Sequence, residues 1–233
     1  EYPWDGRIAI TVSPDKTSRF SIKFRIPGWA GDRPAGTDLY TYTSKATPVT
    51  ISINGKKIRG RGKDGYINID RTWSSNDVVE LVLPMEVRRV RANDRVKADA
   101  GKLAIERGPV VYCLEGCDQP DGEVFNKFIP ADAVFEAVYD KDLLNGVVKL
   151  EGPAAQVDTE GRVTESTCTA IPYSTWCNRG AGRMAVWIPT GADGAHPRPV
   201  PTIASKAYAI KLTGEPNGWP GFNSPALYRS GEA

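Results

Sequence analysis

The sequence predicts an all-β fold, with two antiparallel β-sandwich or jelly-roll-like domains in tandem and a short helix at most. Apolar and polar residues alternate along several short segments, and 19–29 is the clearest of them. Turn residues return about every 8–12 positions, a spacing typical of a β-sandwich. Helical periodicity is weak throughout. The nearest match is 130–146, which is compatible with a short helix ended by Asn145-Gly146.

Predicted strands follow one another through the first half of the chain. Segment 47–58 alternates as 19–29 does, and Asn54-Gly55 then supplies two positions of positive φ for a type I′ hairpin. The pattern continues through 65–70, 77–92 and 101–115. The glycine-rich, basic stretch 60–65 joins two of these strands and opens no helix, so we interpret it as a hairpin loop rather than a phosphate site.

A polar stretch over 116–128 separates these strands from a second group at 146–158, 165–176 and 182–189. We therefore predict a first β-sandwich over 1–116 and a second, smaller or shared one over 117–190. Residues 191–233 are rich in proline and are predicted to be a linker, followed by the truncated start of a further module or by a tail.

One segment, 170–189, concentrates two Trp, a Tyr and two Arg around a Gly-Ala-Gly. We predict a hairpin there, with a glycine-rich turn and with Trp–Arg stacking across the strands. The simplest interpretation is a core hairpin. The alternative is a sugar-facing platform or a contact to another domain, because these residue types anchor interfaces. Its candidate residues are Tyr173, Trp176 and Arg179.

Bulk composition excludes several classes of protein. The chain has 233 residues and a formal net charge of only +2, which argues against nucleic acid as a partner. No apolar run approaches the length of a membrane span. The first residues resemble neither a signal nor a transit peptide, and they enter a predicted strand at once without a Met. We therefore expect a fragment of a longer chain.

Four cysteines and one histidine restrict metal and thiol chemistry. A single His excludes a Cys₂His₂ site, and the cysteines lack the paired spacing of a Cys₄ site. Cys113 and Cys117 would lie about 13 Å apart on one strand, beyond the ~7 Å that a disulfide spans. Cys168 and Cys177 flank a predicted turn and are able to pair, although free buried thiols are the simpler interpretation. We predict no metal site, cofactor or catalytic residue in this chain.

Acid–base or nucleophilic chemistry also draws on carboxylates and imidazoles, and Glu106 and His196 are the two candidates of this kind. Glu106 precedes Arg107-Gly108, and its simplest interpretation is an ion pair with a neighbouring Arg. His196 lies among prolines, so we do not expect it to form a Cys–His dyad. Motifs for a serine nucleophile, a P-loop or a dinucleotide are absent from the sequence.

Several stretches, taken in order, resemble the C-terminal half of glycoside hydrolase family 127. They are YPWDG (2–6), RIPGW (25–29), GYINIDRTWSSNDVVELVLPMEVR (65–88), ERGPVVYCLE (106–115) and IPYSTWCNRGAGRMAVWIP (171–189). The resemblance covers roughly residues 1–190. It implies a type activity that removes β-L-arabinofuranose, and a protein in which an (α/α)₆ barrel is joined to β-sandwich domains.

The same resemblance implies where the chemistry of the family lies. A cysteine nucleophile held near zinc by a Glu and further cysteines, and a separate Glu acid/base, all belong to the barrel upstream of 2–6. None carries over to this chain, so zinc is implied only for the barrel, which is missing here. We expect a non-catalytic accessory region of a bacterial enzyme that removes terminal L-arabinofuranose from plant glycans. Its expected partners are the barrel, a plant-derived oligosaccharide and a second copy.

Two alternatives stay open. An autonomous carbohydrate-binding module predicts exposed coplanar aromatics among Trp29, Trp73, Trp176 and Trp187. An enzyme in its own right requires a clustered carboxylate pair. The sequence leaves the compartment open between the bacterial periplasm or exterior and the cytoplasm.

Overall fold

The computed structural model describes residues 2–34, 37–59 and 61–197. Antiparallel strands dominate this part of the chain. The regular elements of those residues are β-strands and single 3₁₀ turns. This confirms the predicted all-β class. Within the same residues, no helix is long and apolar enough to cross a membrane. The predicted module or tail lies largely at 198–233, outside the described residues.

Two sheets face each other in the first part of the chain. The four-stranded sheet contains, in spatial order, β1 (Arg7–Val12), β8 (Asp77–Val82), β4 (Thr50–Ile53) and β5 (Lys56–Ile58). The three-stranded sheet contains β2 (Ser18–Arg25), β7 (Tyr66–Trp73) and β6 (Arg61–Lys63). Alternate residues of both sheets enter one core, which includes Phe24, Ile51, Ile69, Trp73, Val79 and Leu81. Such a two-layer arrangement is a β-sandwich.

Local turn chemistry sets the pairing of these strands. Asn54 and Gly55 both have positive φ, 49° and 77°, and they join β4 to β5 in the predicted hairpin. Asp64 and Gly65 repeat the device between β6 and β7, with φ of 52° and 76°. Residues 61–65 therefore belong to a hairpin, as predicted for 60–65, although Arg61–Lys63 form β6 rather than loop.

A ten-stranded sheet follows. Its main path is β12 (Lys127–Phe128), β14 (Val147–Val157), β15 (Val163–Pro172), β11 (Val110–Glu115), β10 (Lys102–Arg107), β9 (Val87–Ala92) and β3 (Tyr40–Tyr42). Three further strands attach to it: β13 (Glu136–Asp140) to β14, β16 (Met184–Ala185) to β11, and β17 (Ile188–Pro189) to β10. One face of this sheet packs on a second core, which includes Leu103, Ile105, Tyr112, Leu114, Ile129 and Leu150.

The predicted domain boundary at residue 116 falls within this sheet. β11 precedes that boundary and β15 follows it, yet Cys113 pairs directly with Ile171. β3 also reaches the sheet from the first part of the chain, because Tyr42 pairs with Val90. The described residues hold two hydrophobic cores, and the boundary at residue 116 stays a prediction.

The helix that was compatible with 130–146 does not form. Residues Glu136–Asp140 form β13, which pairs with β14 over its whole length. Val134 and Tyr139 are 79% and 60% exposed, whereas Ala133 and Phe135 pack into or against the second core, and the chain after them is extended rather than helical. Its predicted end is nevertheless a turn, because Leu144, Asn145 and Gly146 all have positive φ.

Alternation along the ten-stranded sheet separates its two faces. Leu103, Ile105 and Arg107 of β10 point to the second core, so Ala104 and Glu106 point away from it. Cross-strand pairing places Arg88 and Val111 beside Glu106. We call this side the second face; it also carries Cys113 and Glu115 of β11, and it positions the candidate site.

Candidate functional site

The site begins where β10 and β11 diverge. These strands pair from Arg107 with Val110 to Ile105 with Tyr112. Beyond that point, residues 184–189 run between them: Ala185 lies opposite Leu114, and Ile188 lies opposite Leu103. Gly108 makes the tight turn at the closed end with a φ of 56°, and a side chain there would overlap Met85.

The predicted hairpin within 170–189 is wrong. β15 ends at Pro172, a 3₁₀ turn covers Tyr173–Thr175, and the returning residues pair with β11 and β10 instead of with β15. The Thr175 hydroxyl closes the turn by donating to the Pro172 carbonyl at 2.7 Å. β11 already occupies the free edge of β15, so the returning chain has to find a partner elsewhere in the sheet.

This path creates an open apolar depression on the second face. Its lining residues come from β11, the 3₁₀ turn and the returning chain: Val111, Tyr173, Met184, Val186 and Trp187. The Trp187 ring stacks on Tyr40 of β3, with centroids 5.7 Å apart and ring planes at 26°. Tyr173 remains 46% exposed, so an aromatic edge of the depression faces solvent.

Arg179 closes one end of the region through buried carboxylates rather than through an aromatic ring. Its Nη2 donates to Glu115 at 2.6 Å and to Asp118 at 2.5 Å, and its Nη1 also donates to Asp118 at 2.6 Å. The Glu115 side chain is 1% exposed and that of Asp118 is 8% exposed. A bidentate pair in such a setting restrains the loop that follows the 3₁₀ turn.

The surroundings of Glu115 decide its charge. Burial alone raises the pKa of this carboxyl, but the Cys177 backbone N–H, at 2.8 Å, and the Arg179 guanidinium outweigh it and hold the pKa below its usual value. Hydrogen bonding to Asp118 and Glu115 raises the pKa of Arg179 in turn. At neutral pH this cluster is a fixed ion pair and has no proton to transfer.

Glu106 is bonded to a phenol instead of to the predicted arginine. The Tyr42 hydroxyl donates to its carboxylate at 2.6 Å, while the Arg88 guanidinium stacks 3.4 Å from the centroid of the Tyr42 ring. Arg88 donates to the carbonyls of Trp29, Gly31 and Ser44. Burial raises the pKa of Glu106 and also that of Tyr42.

The four cysteines are all free thiols. Cys113 and Cys168 are buried, and burial raises the pKa of each to about 12, so both are protonated at neutral pH. Cys117 and Cys177 are exposed. The pairing of Cys168 with Cys177 that the sequence left open is therefore not formed, since one thiol lies in the second core and the other at the surface.

One group in the described residues has the composition of metal ligands. Single atoms of Glu115, Cys117 and Asp118 lie within 4.8 Å of one another. Arg179 already donates hydrogen bonds to both carboxylates of this group. A cation would have to displace the guanidinium, so the group is best described as an ion-pair cluster.

The sequence-predicted contact residues are separated by the structure. Tyr173 lines the depression, Arg179 is held by acids at its end, and Trp176 follows the 3₁₀ turn as a half-buried residue. The residues that complete the region, Tyr40 and Tyr42, were missed. They are two positions apart on a short strand, so both rings lie on one face. That spacing is visible in the sequence and would have indicated a pair of aromatic rings on one side of the strand.

The tryptophans expected of a carbohydrate-binding module do not form an exposed platform. Trp73 is fully buried, and its Nε1 donates to the Phe20 carbonyl at 3.0 Å. Trp29, Trp176 and Trp187 are all half-buried.

Comparison with known families identifies both parts of the chain. The sequence model described as "Beta-L-arabinofuranosidase, GH127 middle domain" matches residues 1–85. The model described as "Glycoside hydrolase family 127 C-terminal domain" matches residues 87–189. The first range contains the sandwich of two facing sheets, and the second contains nine strands of the ten-stranded sheet.

Individual relatives agree with this assignment. The non-reducing end β-L-arabinofuranosidase of Bifidobacterium longum subsp. longum is 35% identical over 206 residues, which cover 80% of this chain and 29% of the relative. A crystal structure of a GH127 β-L-arabinofuranosidase from Geobacillus stearothermophilus T6 is 40% identical, with a TM-score of 0.71, over 81% of this chain and 29% of that one. Another solved GH127 β-arabinofuranosidase is 34% identical, with a TM-score of 0.78, over 84% of this chain and 31% of that one.

The chain thus spans less than a third of the length of these relatives. Two family models match it in order and almost without a gap, and the same region aligns with solved members in three dimensions. The chain belongs to glycoside hydrolase family 127 and carries its middle and C-terminal domains.

Proposed function

We propose that this chain is a non-catalytic β-sandwich region of a β-L-arabinofuranosidase-like glycoside hydrolase, and that it supports an upstream catalytic barrel. The whole enzyme would remove terminal L-arabinofuranose from plant glycans. The observation that carries the proposal is the ordered match of the middle and C-terminal family domains over 1–85 and 87–189. The relatives devote roughly 70% of their length to regions beyond these domains.

The chemistry of the second face and of the second core supports a structural role for the reactive groups that lie there. A nucleophilic cysteine has to be a thiolate, and burial keeps the Cys113 and Cys168 thiols protonated. Glu115 is held ionised by Arg179, and Glu106 accepts the Tyr42 hydroxyl. Each of the two carboxyls thus has a fixed hydrogen-bond partner within this chain.

The depression on the second face is where we place the contact with the barrel. Tyr173, Met184 and Trp187 present apolar surface there, and Tyr173 is 46% exposed. Exposed Tyr173 and half-buried Met184 and Trp187 give this depression an apolar wall that a partner surface would cover. The remaining length of the relatives supplies an occupant within the same polypeptide.

Hydrolysis of an aryl β-L-arabinofuranoside tests this proposal. We expect no turnover by the purified chain with zinc and a thiol reductant supplied, and turnover by a protein that extends upstream to the relatives' full length. In that longer protein, Tyr173→Asp should weaken the association of the two parts and lower the thermal midpoint, whereas Tyr66→Asp on the other sheet should not. Turnover by the chain alone that survives repurification would contradict the accessory role.

A further inference from the structure

A second cavity lies away from the second face, where the two family domains meet. It has a volume of about 510 Å³, which is within the range of small-ligand sites. Trp4 and Asp5 come from the middle domain, and the remaining lining residues come from the C-terminal domain. We call it the Trp4 cavity; its lining residues are Trp4, Asp5, Arg107, Ala137, Tyr139 and Val148.

Two aromatic side chains, Trp4 and Tyr139, flank this cavity, and the fold fixes the position of each. Tyr139 lies on β13, an edge strand, and is 60% exposed. Its hydroxyl sits against Gly146, where an added Cβ would lie 2.5 Å from the oxygen. Gly146 also has a φ of 95°, a conformation that favours glycine. Trp4 packs its other side against the second core. An exposed ring that is held in this way is pre-organised to receive a ligand.

Polar groups of opposite character line the same cavity. Arg107 donates from Nη1 to the Trp4 carbonyl at 3.0 Å, while its Nε is buried and has no hydrogen-bond partner among the described residues. Asp5 is exposed, and its Oδ1 accepts the Arg7 backbone N–H at 3.0 Å. Asp5 is therefore the polar group of this cavity that a ligand reaches from solvent, and its carboxylate accepts hydrogen bonds.

We propose that the Trp4 cavity binds one neutral sugar ring, as a non-catalytic glycan contact. The C–H face of a sugar packs on aromatic rings such as those of Trp4 and Tyr139, and its hydroxyls both donate and accept hydrogen bonds. The Asp5 carboxylate accepts hydrogen bonds only, so it matches a sugar hydroxyl. An apolar ligand would leave this carboxylate without a donor, and an anionic sugar would meet its charge.

Titration of the full chain, followed by NMR, tests this binding. The neutral probes are methyl β-L-arabinofuranoside and methyl β-D-xylopyranoside, and D-glucuronate is the charged comparator. We expect a saturable shift of the Trp4 indole N–H with a Kd of about 1–10 mM for at least one neutral probe, as suits a half-open site for a single ring. The indole signal is assigned with Trp4→Phe.

Matched variants locate the site. Tyr139→Ala should weaken binding at least tenfold, and Asp5→Asn should weaken it and remove the preference over glucuronate. Tyr66→Ala provides the control, because Tyr66 is also an exposed strand tyrosine, at 41%, and lies on β7. The affinity of Tyr66→Ala for the neutral probes should equal that of the parent chain. Asp5 and Tyr139 are both exposed, so their variants should retain the parent's thermal midpoint within a few degrees.

Three outcomes would overturn the inference. They are the absence of a saturable shift with either neutral sugar, an unchanged affinity in Tyr139→Ala, and tighter binding of glucuronate than of both neutral probes. Hydrolysis plays no part in these readouts. A chain that binds sugar here without turnover agrees with both proposals, and a chain that fails to bind leaves the accessory role in the enzyme unaffected.

Discussion

Arg179→Ala is the substitution that most directly tests the ion-pair cluster beside the depression. The change removes three hydrogen bonds to Glu115 and Asp118. The Glu115 side chain is only 1% exposed, so its carboxylate would remain buried in the variant. The Cys177 backbone N–H would still donate a hydrogen bond to it. Removing one member of a buried ion pair costs roughly 3–5 kcal/mol, because the other charge is left uncompensated.

The lower part of that range applies to this cluster. The Arg179 side chain is itself 27% exposed, and the Cys177 N–H still stabilises Glu115 in the variant. We therefore expect a loss of about 3 kcal/mol in the free energy of unfolding at pH 7. For a domain of this size, that loss corresponds to a decrease of roughly 6–12 °C in the thermal midpoint.

The pH dependence of the loss identifies its cause. In the parent chain the pKa of Glu115 is lowered, so its stabilisation is present above the unfolded carboxyl pKa and is lost as the pH falls through the folded value. Without Arg179, burial raises the pKa of Glu115 in the folded variant. As the pH falls, the carboxyl is protonated, and the variant no longer carries an uncompensated buried charge. The difference between the two proteins should shrink as the pH decreases from 7 to about 4.

Urea unfolding of the parent, Arg179→Ala and Arg162→Ala measures these differences. Arg162 also contacts two carboxylates, of Asp158 and Glu160, but its side chain is 69% exposed. Its loss should stay below about 1 kcal/mol. Glu115→Gln added to Arg179→Ala should recover part of the stability, because it removes the buried charge. Equal losses for the two arginine variants, or a loss that is constant with pH, would refute the reasoning.

Further predictions concern thiols, a buried lysine and a glycine. A thiol reagent should modify two cysteines quickly in the folded chain and the other two only after unfolding, and modification of all four at one rate would contradict the assigned burial of Cys113 and Cys168. Lys127 is fully buried against Asp121 at 2.9 Å, and the Asp121 side chain is 31% exposed. Lys127→Met should cost less than the roughly 3 kcal/mol expected of Arg179→Ala in urea unfolding, because the Asp121 carboxylate that loses its cation keeps contact with water; a loss above about 3 kcal/mol would contradict this. Gly146→Ala should lower the free energy of unfolding by about 1–3 kcal/mol, because the backbone is strained and the Tyr139 hydroxyl is displaced. The NMR signals of Tyr139 should report the displacement. Unchanged stability with unshifted Tyr139 signals would contradict this.

Sequence reasoning went furthest where the determinants were local. Asn54-Gly55 specified its hairpin, because two adjacent residues of positive φ admit few other connections. Alternation predicted the buried face of β4, which carries Ile51 and Ile53. It failed at 130–146, where small apolar residues and Asn-Gly are compatible with a helix end and with a strand followed by a turn.

The candidate site depended on pairings that local pattern does not encode. The alternation of apolar and polar residues shows which side chains share a face of a strand. It does not show which other strand pairs with that strand. Residues 184–189 were placed against 171–176 because the two segments are neighbours in sequence, yet they pair with β11 and β10. Arg179 likewise found Glu115 and Asp118 more than sixty positions earlier in the chain.

By itself, the sequence determined an all-β chain, the faces of its strands, its tightest turns and, through ordered motifs, its family. Only the tertiary structure decided that Tyr173 borders an apolar depression, that Glu106 is bonded to Tyr42, and that Trp4 meets Tyr139 across a cavity. The physical reason is the range of the forces involved. Backbone preference and alternation act over a few residues, whereas sites form where segments distant in sequence become neighbours through burial and cross-strand pairing.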